Sequence, residues 1–204
     1  MKNTNKIQDK SKAVKPDSPI LSFTTTKELT SWLAKHHEES TGIWMRLFKK
    51  NSDGTSITYA EALDMALCYG WIDGQKKPYD TESWLQKFTP RRPKSIWSKK
   101  NRGHIKRLEK SGEMKAAGIK QVEAAKADGR WEQAYDSSSN MVVPADFLIK
   151  LAKNKKALTF FKSLNKANTY SIACRLQTAK KPETRDNRMK AILEMLEKGD
   201  KFHS

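Results

Sequence analysis

The thirteen residues Thr58–Gly70, TYAEALDMALCYG, leave the backbone little choice. Thr58-x-x-Glu61 is a capping box, in which hydroxyl and carboxylate satisfy amides at the start of a helix. Ala62, Leu63, Ala66 and Leu67 fall on one face, and Gly70 stands where a helix ends in a left-handed residue. The pattern predicts a helix over about 59–69, with WIDGQ behind it as a strand. Upstream, Thr25-x-x-Glu28 opens a second helix over 26–38. IWMRLF, 43–48, alternates Ile43, Met45 and Leu47 on one face and reads as a strand. The turn PYDTES leads to another strand, WLQKFT, 84–89. Helices capping a few short strands give an α+β class: a small antiparallel sheet flanked by helices.

Beyond Pro93 the pattern turns helical. Ser95 is a cap for a helix to about Ser111, and a second helix spans about 118–128. Pro144 opens a third, to about 153. Ala157, Leu158, Phe161 and Leu164 mark a fourth. Asn168 is read as the cap of a fifth, 169–179, and a sixth runs from Pro182 to Gly199. DSSSN, 136–140, is the linker. The expected organisation is a flexible basic tail, 1–20, an α+β domain, 21–135, and a helical module, 141–204.

The chain carries a net charge of +17, and it is unevenly spread. Residues 86–110 hold ten Lys/Arg against one acid, and residues 150–190 hold twelve against two. Such a field attracts polyanions, although a solvated lysine-rich face would give the same count. No apolar run reaches the roughly 20 residues of a membrane span. The lysine-containing N-terminus has no apolar core of a signal peptide, so the expected location is cytoplasmic. Cys68 and Cys174 are 106 positions apart, form no CxxC pair, and read as free thiols in helices.

Little in the sequence points to a reaction. His36 and His37 are helical neighbours about 100° apart; with His104 and His203 they make no short-spaced ligand set, so no metal is expected. There is no GxSxG elbow and no phosphate loop, so no catalytic residue and no cofactor are assigned. In GWIDGQ, Asp73 lies between Trp71 and Gly74. It is read either as an internal partner for Arg91 or Arg92, or as a group that touches a ligand beside Trp71 and Gln75. In FTPRRPKSIWSKKN, Pro90 and Pro93 stiffen a turn that carries Arg91 and Arg92, and the basic helix behind adds Lys99, Lys100 and Arg102. Trp97 suits the core, or a stack on a base. The whole stretch is favoured as an anion-facing surface over a structural corner. KKPETRDNR supplies a second basic patch: Lys180, Lys181, and Arg185 and Arg188 at i and i+3.

TYAEALDMALCYGWIDGQKK, LQKFTPRRPKSIWSKKN, EAAKADGRW and LQTAKKPETRDNR, in that order, resemble the YdeI or OmpD-associated family, also called bacteriocin-protection proteins. The likeness runs over about residues 20–200. It implies a YjbR/CyaY-like α+β domain over 21–135 and an OmdA-type helical module over 141–204. It also implies a role in resistance to bacteriocins or envelope stress, without an established reaction. The leading expectation is a non-enzymatic cytoplasmic binding protein with a basic anion-facing surface. Nucleic-acid binding by that surface is one alternative. An enzyme or small-ligand receptor, with a pocket around Asp73, Lys49 and Arg91/Arg92, is the other. The partner is thus nucleic acid or another polyanion, or an envelope or small anionic molecule, and the oligomeric state is left open.

Overall fold

Residues 18–137 and 140–203 are described in the computed structural model of the chain. They fall into two compact units that meet in sequence between Arg91 and Arg92. Of the expected tail, residues 1–17 lie outside the described residues.

The first unit is built from β1 (Ile20–Leu21), α1 (Thr26–His36), β2 (Ile43–Phe48), α2 (Tyr59–Cys68), β3 (Trp71–Pro78) and β4 (Ser83–Pro90). The Thr58 hydroxyl accepts from the Glu61 amide at 3.2 Å, and the Glu61 carboxylate accepts from the Thr58 amide at 2.8 Å. The helix ends before Gly70, whose φ of 73° is left-handed. The strands are ordered β1-β2-β4-β3. β4 pairs antiparallel with both β2 and β3, as expected, but β1 lies parallel to β2 and makes the sheet mixed. Gly42 sits where the backbone crowds β4: a Cβ there would stand 2.8 Å from the Phe88 carbonyl oxygen.

β3 bulges between Asp73 and Lys76, and the buried Gln86 amide fills the gap by donating to the carbonyls of Gly74 and Gln75 at 2.9 and 3.2 Å. Pairing in β2 puts Ile43, Met45 and Leu47 on one face and Trp44, Arg46 and Phe48 on the other. The first set is buried together with Leu29, Leu33, Leu63 and Leu67. Trp32 of α1 meets Trp71 of β3 edge-on at 5.8 Å.

The second unit contains α3 (Lys99–Lys110), α4 (Ala116–Ala127), α5 (Ala145–Ala152), α6 (Lys155–Lys162), α7 (Lys166–Gln177) and α8 (Pro182–Lys198). α3 starts one turn later than expected. Lys94 adopts φ 65°, and Ser98 rather than Ser95 caps the helix, accepting from the Asn101 amide at 3.1 Å. Trp97 packs against Trp131 at 5.0 Å, and residues 97–99 zip to Tyr135 through two backbone hydrogen bonds of 3.0 and 2.8 Å. In α7 the cap is Asn165, not Asn168. Asn168 is 1% exposed, and its side chain holds the C-terminal segment: it accepts from the His203 amide at 2.9 Å and donates to the His203 carbonyl at 3.1 Å. α5 to α8 enclose Phe147, Leu151, Ile172, Leu176, Met189, Ile192 and Leu196. Gly199, with φ 79°, ends α8.

Candidate functional site

The residues singled out in the sequence have very different surroundings. In the first unit, Trp71 is 1% exposed and its indole donates to the His37 carbonyl at 3.0 Å. Asp73, on the same face of β3, accepts a 2.7 Å hydrogen bond from the Tyr59 hydroxyl of α2. Gln75 is exposed beside the bulge. Arg91 is buried, and its amide donates to the Gly70 carbonyl at 3.0 Å, which closes the sheet edge over the helix stop.

In the second unit, Arg92 and Lys100 are exposed, whereas Trp97 is 1% exposed against Trp131. Arg102 donates to the Trp131 carbonyl at 2.8 Å and lies 5.1 Å from the centre of its ring. Arg185 makes a two-pronged pair with Asp146, and Arg188 donates to the Arg175 carbonyl at 2.7 Å and to the Thr178 hydroxyl at 3.2 Å. Lys181 is exposed at the start of α8.

Two of the candidates, one from each basic stretch, come together. Lys99, at the start of α3, and Lys180, between α7 and α8, line one open cleft of about 470 Å³ with Glu132, Gln133, Gln177 and Thr178. Its geometry is set by Asp136. One carboxylate oxygen takes the Lys99 ammonium at 2.6 Å; the other accepts from the Gln177 amide at 2.8 Å, and the Asp136 backbone amide donates back to Gln177 at 3.2 Å. The hydrogen bond from Lys99, with that from Gln177 and the charge of Lys99, holds the Asp136 carboxyl below its usual range. Arg130 does the same for Asp128 by hydrogen bond and charge, with a smaller contribution from Lys180. The cleft is therefore rimmed by two ammonium groups, of which Lys99 is paired with Asp136, and lined by amides, a hydroxyl and the Glu132 carboxylate, so that its donors outnumber its one anionic lining group.

Sequence reading missed Asp136, Gln133 and Gln177. Asp136 lies in a stretch that reads as a linker, and nothing in its neighbours announces a partner on α7. Among the described residues, no group of three or more His, Cys, Asp or Glu side chains could hold a metal ion, and no helix is long and apolar enough to cross a membrane.

Comparison with known families divides the chain in two. Residues 140–199, which contain α5 to α8, match the family described as "Bacteriocin-protection, YdeI or OmpD-Associated". The likeness to the YdeI/OmpD-associated family is thus confined to the C-terminal segment. Residues 21–121 match a domain of unknown function (DUF8412). No curated protein and no solved structure matches the chain significantly. α3 therefore falls in the N-terminal match by sequence, but in one compact unit with the OmdA-type module by packing. The Lys99–Lys180 cleft takes one lysine from each matched segment's side of that boundary.

Proposed function

We propose that this chain is a cytoplasmic, non-enzymatic binding protein of the bacteriocin-protection kind, and that its helical unit captures a polyanion through the Lys99–Lys180 cleft. The observation that supports this reading is the convergence of the two basic stretches on one donor-lined cleft. The exposed Arg92, Lys100, Lys106, Lys110 and Lys181 of the same unit extend the positive field around it. Nucleic acid is the polyanion whose charge density fits so many cations, with phosphate oxygens taking the ammonium and amide donors.

The test is fluorescence anisotropy of labelled duplex DNA at several salt concentrations, with wild type and the Lys99→Ala/Lys180→Ala double variant. With two phosphates left unneutralised, the slope of log affinity against log salt should fall by about 1.8. An unchanged slope, in a variant that melts like the wild type, removes the cleft from the interface. The OmdA-type module alone does not decide the partner, so heparin and polyphosphate belong in the same series.

A further inference from the structure

The sheet unit holds a second cluster of cations, apart from those considered above, and it is arranged differently. β3 is an edge strand, and its neighbours Lys76 and Lys77 point to opposite faces. The Lys76 ammonium lies 4.1 Å from the centre of the Trp84 ring. The Lys77 ammonium lies 4.1 Å from the centre of Trp44, and that of Lys87 lies 4.9 Å from the same ring. Along β2, Trp44, Arg46 and Phe48 share this face, and Arg46 lies 4.4 Å from Phe48 and 5.1 Å from Tyr79. Arg46 is fixed in place by Asp80 at 2.8 Å and Ser83 at 2.9 Å. Lys77 is exposed and has no ion pair among the described residues.

Lysines on an edge strand commonly guard against pairing with another sheet. That explains the exposure of Lys76 and Lys77, but not Trp44. Trp44 is 7% exposed, and its indole nitrogen is buried without a hydrogen-bond acceptor among the described residues. A buried N–H of this kind costs free energy that one acceptor would recover. We propose that Trp44 is a stacking platform for a base of single-stranded nucleic acid, with Lys77 moving off its ring onto a flanking phosphate. The ring supplies the sequence-tolerant stack, the released Lys77 ammonium neutralises a phosphate, and the orphaned N–H gains a base carbonyl or phosphate oxygen. A duplex keeps its bases stacked inside, so the platform selects an unpaired strand. An acidic peptide supplies carboxylates for the lysines and an acceptor for the indole N–H, but no base to stack on the ring face.

The proposal uses residues outside the Lys99–Lys180 cleft, so either site can fail alone. The experiment is a titration of the full chain with oligo(dT) and, separately, with polyglutamate of equal charge, followed by tryptophan fluorescence at several salt concentrations. Oligo(dT) should quench the emission and polyglutamate should not. Trp44→Phe, shown by circular dichroism to melt as a folded protein, should lose at least half of the quenching. Lys77→Ala should weaken binding and lower the salt slope by about 0.7, for the one phosphate that is no longer neutralised. Lys99→Ala/Lys180→Ala should leave the quenching intact. Absence of quenching by oligo(dT), equal quenching by polyglutamate, or full quenching retained in Trp44→Phe would each overturn the proposal.

Discussion

The two units dispose of their positive charge in opposite ways. In the helical unit, five cations are ties: Lys99 holds Asp136, Arg130 holds Asp128 and the Ser95 carbonyl, Arg185 holds Asp146, and Arg102 and Arg188 reach backbone carbonyls. In the sheet unit, Lys76, Lys77 and Lys87 rest on aromatic rings, while Arg46 is locked into a carboxylate. An exposed lysine over a ring, as Lys77 is, is held by about 0.5–1 kcal/mol, so it leaves readily for a phosphate. A guanidinium committed to a carboxylate and a carbonyl does not. Counting lysines and arginines along the chain therefore overstates the charge available at Lys99, Arg102, Arg130, Arg185 and Arg188, and overlooks the smaller cluster around Trp44.

The sharpest way to break this contrast is to remove a polar tie in the helical unit. Asn168→Leu deletes the buried amide that holds the C-terminal segment and strands the His203 amide and carbonyl. It should cost about 2–3 kcal/mol, read as a lower midpoint in urea. A cost under about 0.5 kcal/mol would mean that the segment is not held there.

Acid should loosen the ties next. Asp136, Asp128 and Asp146 are each held below the ordinary carboxylate range, first by a hydrogen bond from Lys99, Arg130 and Arg185 respectively. Because the folded values are depressed, the stability they contribute is present above the ordinary range and is lost as pH falls through the lowered values. The melting temperature should thus fall from about pH 4 downward, and Asp136→Asn should flatten part of that fall.

Alkali acts with the opposite sign. Burial pushes the Tyr170 phenol up to about 12, so the folded chain keeps a proton that the unfolded chain releases near the usual value of 10.0. Stability should decline between those two values. Absorbance at alkaline pH should show one tyrosine titrating late, a feature absent from Tyr170→Phe. The Cys174 thiol is also raised by burial, and it should react slowly with thiol reagents at neutral pH. The smallest expected effect is on the sheet: Lys77→Ala should change stability by less than about 0.5 kcal/mol while it alters tryptophan emission.

Much of the fold was legible because it is written locally. Thr25, Thr58, Gly70 and Gly199 announce helix ends through their own backbone chemistry, and all four stand at such ends. β1 escaped notice because two residues cannot show a period of two, and its support is the parallel pairing with β2. Ser95 and Ser98 are equally good caps on paper; the left-handed turn at Lys94 decides between them. Asn165 and Asn168 pose the same ambiguity, which the distant His203 resolves by engaging Asn168. The site was less legible for one physical reason: charge is visible in sequence, but its partners are not. Lys99 and Lys180 appeared as members of separate patches, and nothing local shows that they face one cleft or that Asp136 orders it. The lysines over Trp44 come from β3 and β4, and only the strand pairing brings them to that ring.

The most direct measurement is lysine labelling with an acetylating reagent, read by mass spectrometry, with and without a polyanion. In the free protein Lys77, resting on a ring, should label faster than Lys99, which is paired to Asp136. With single-stranded DNA bound, Lys77, Lys99 and Lys180 should all be protected, while the exposed Lys155 and Lys156 of α6 stay reactive. Equal reactivity of Lys77 and Lys99 in the free chain, or protection spread evenly through α6, would contradict the account.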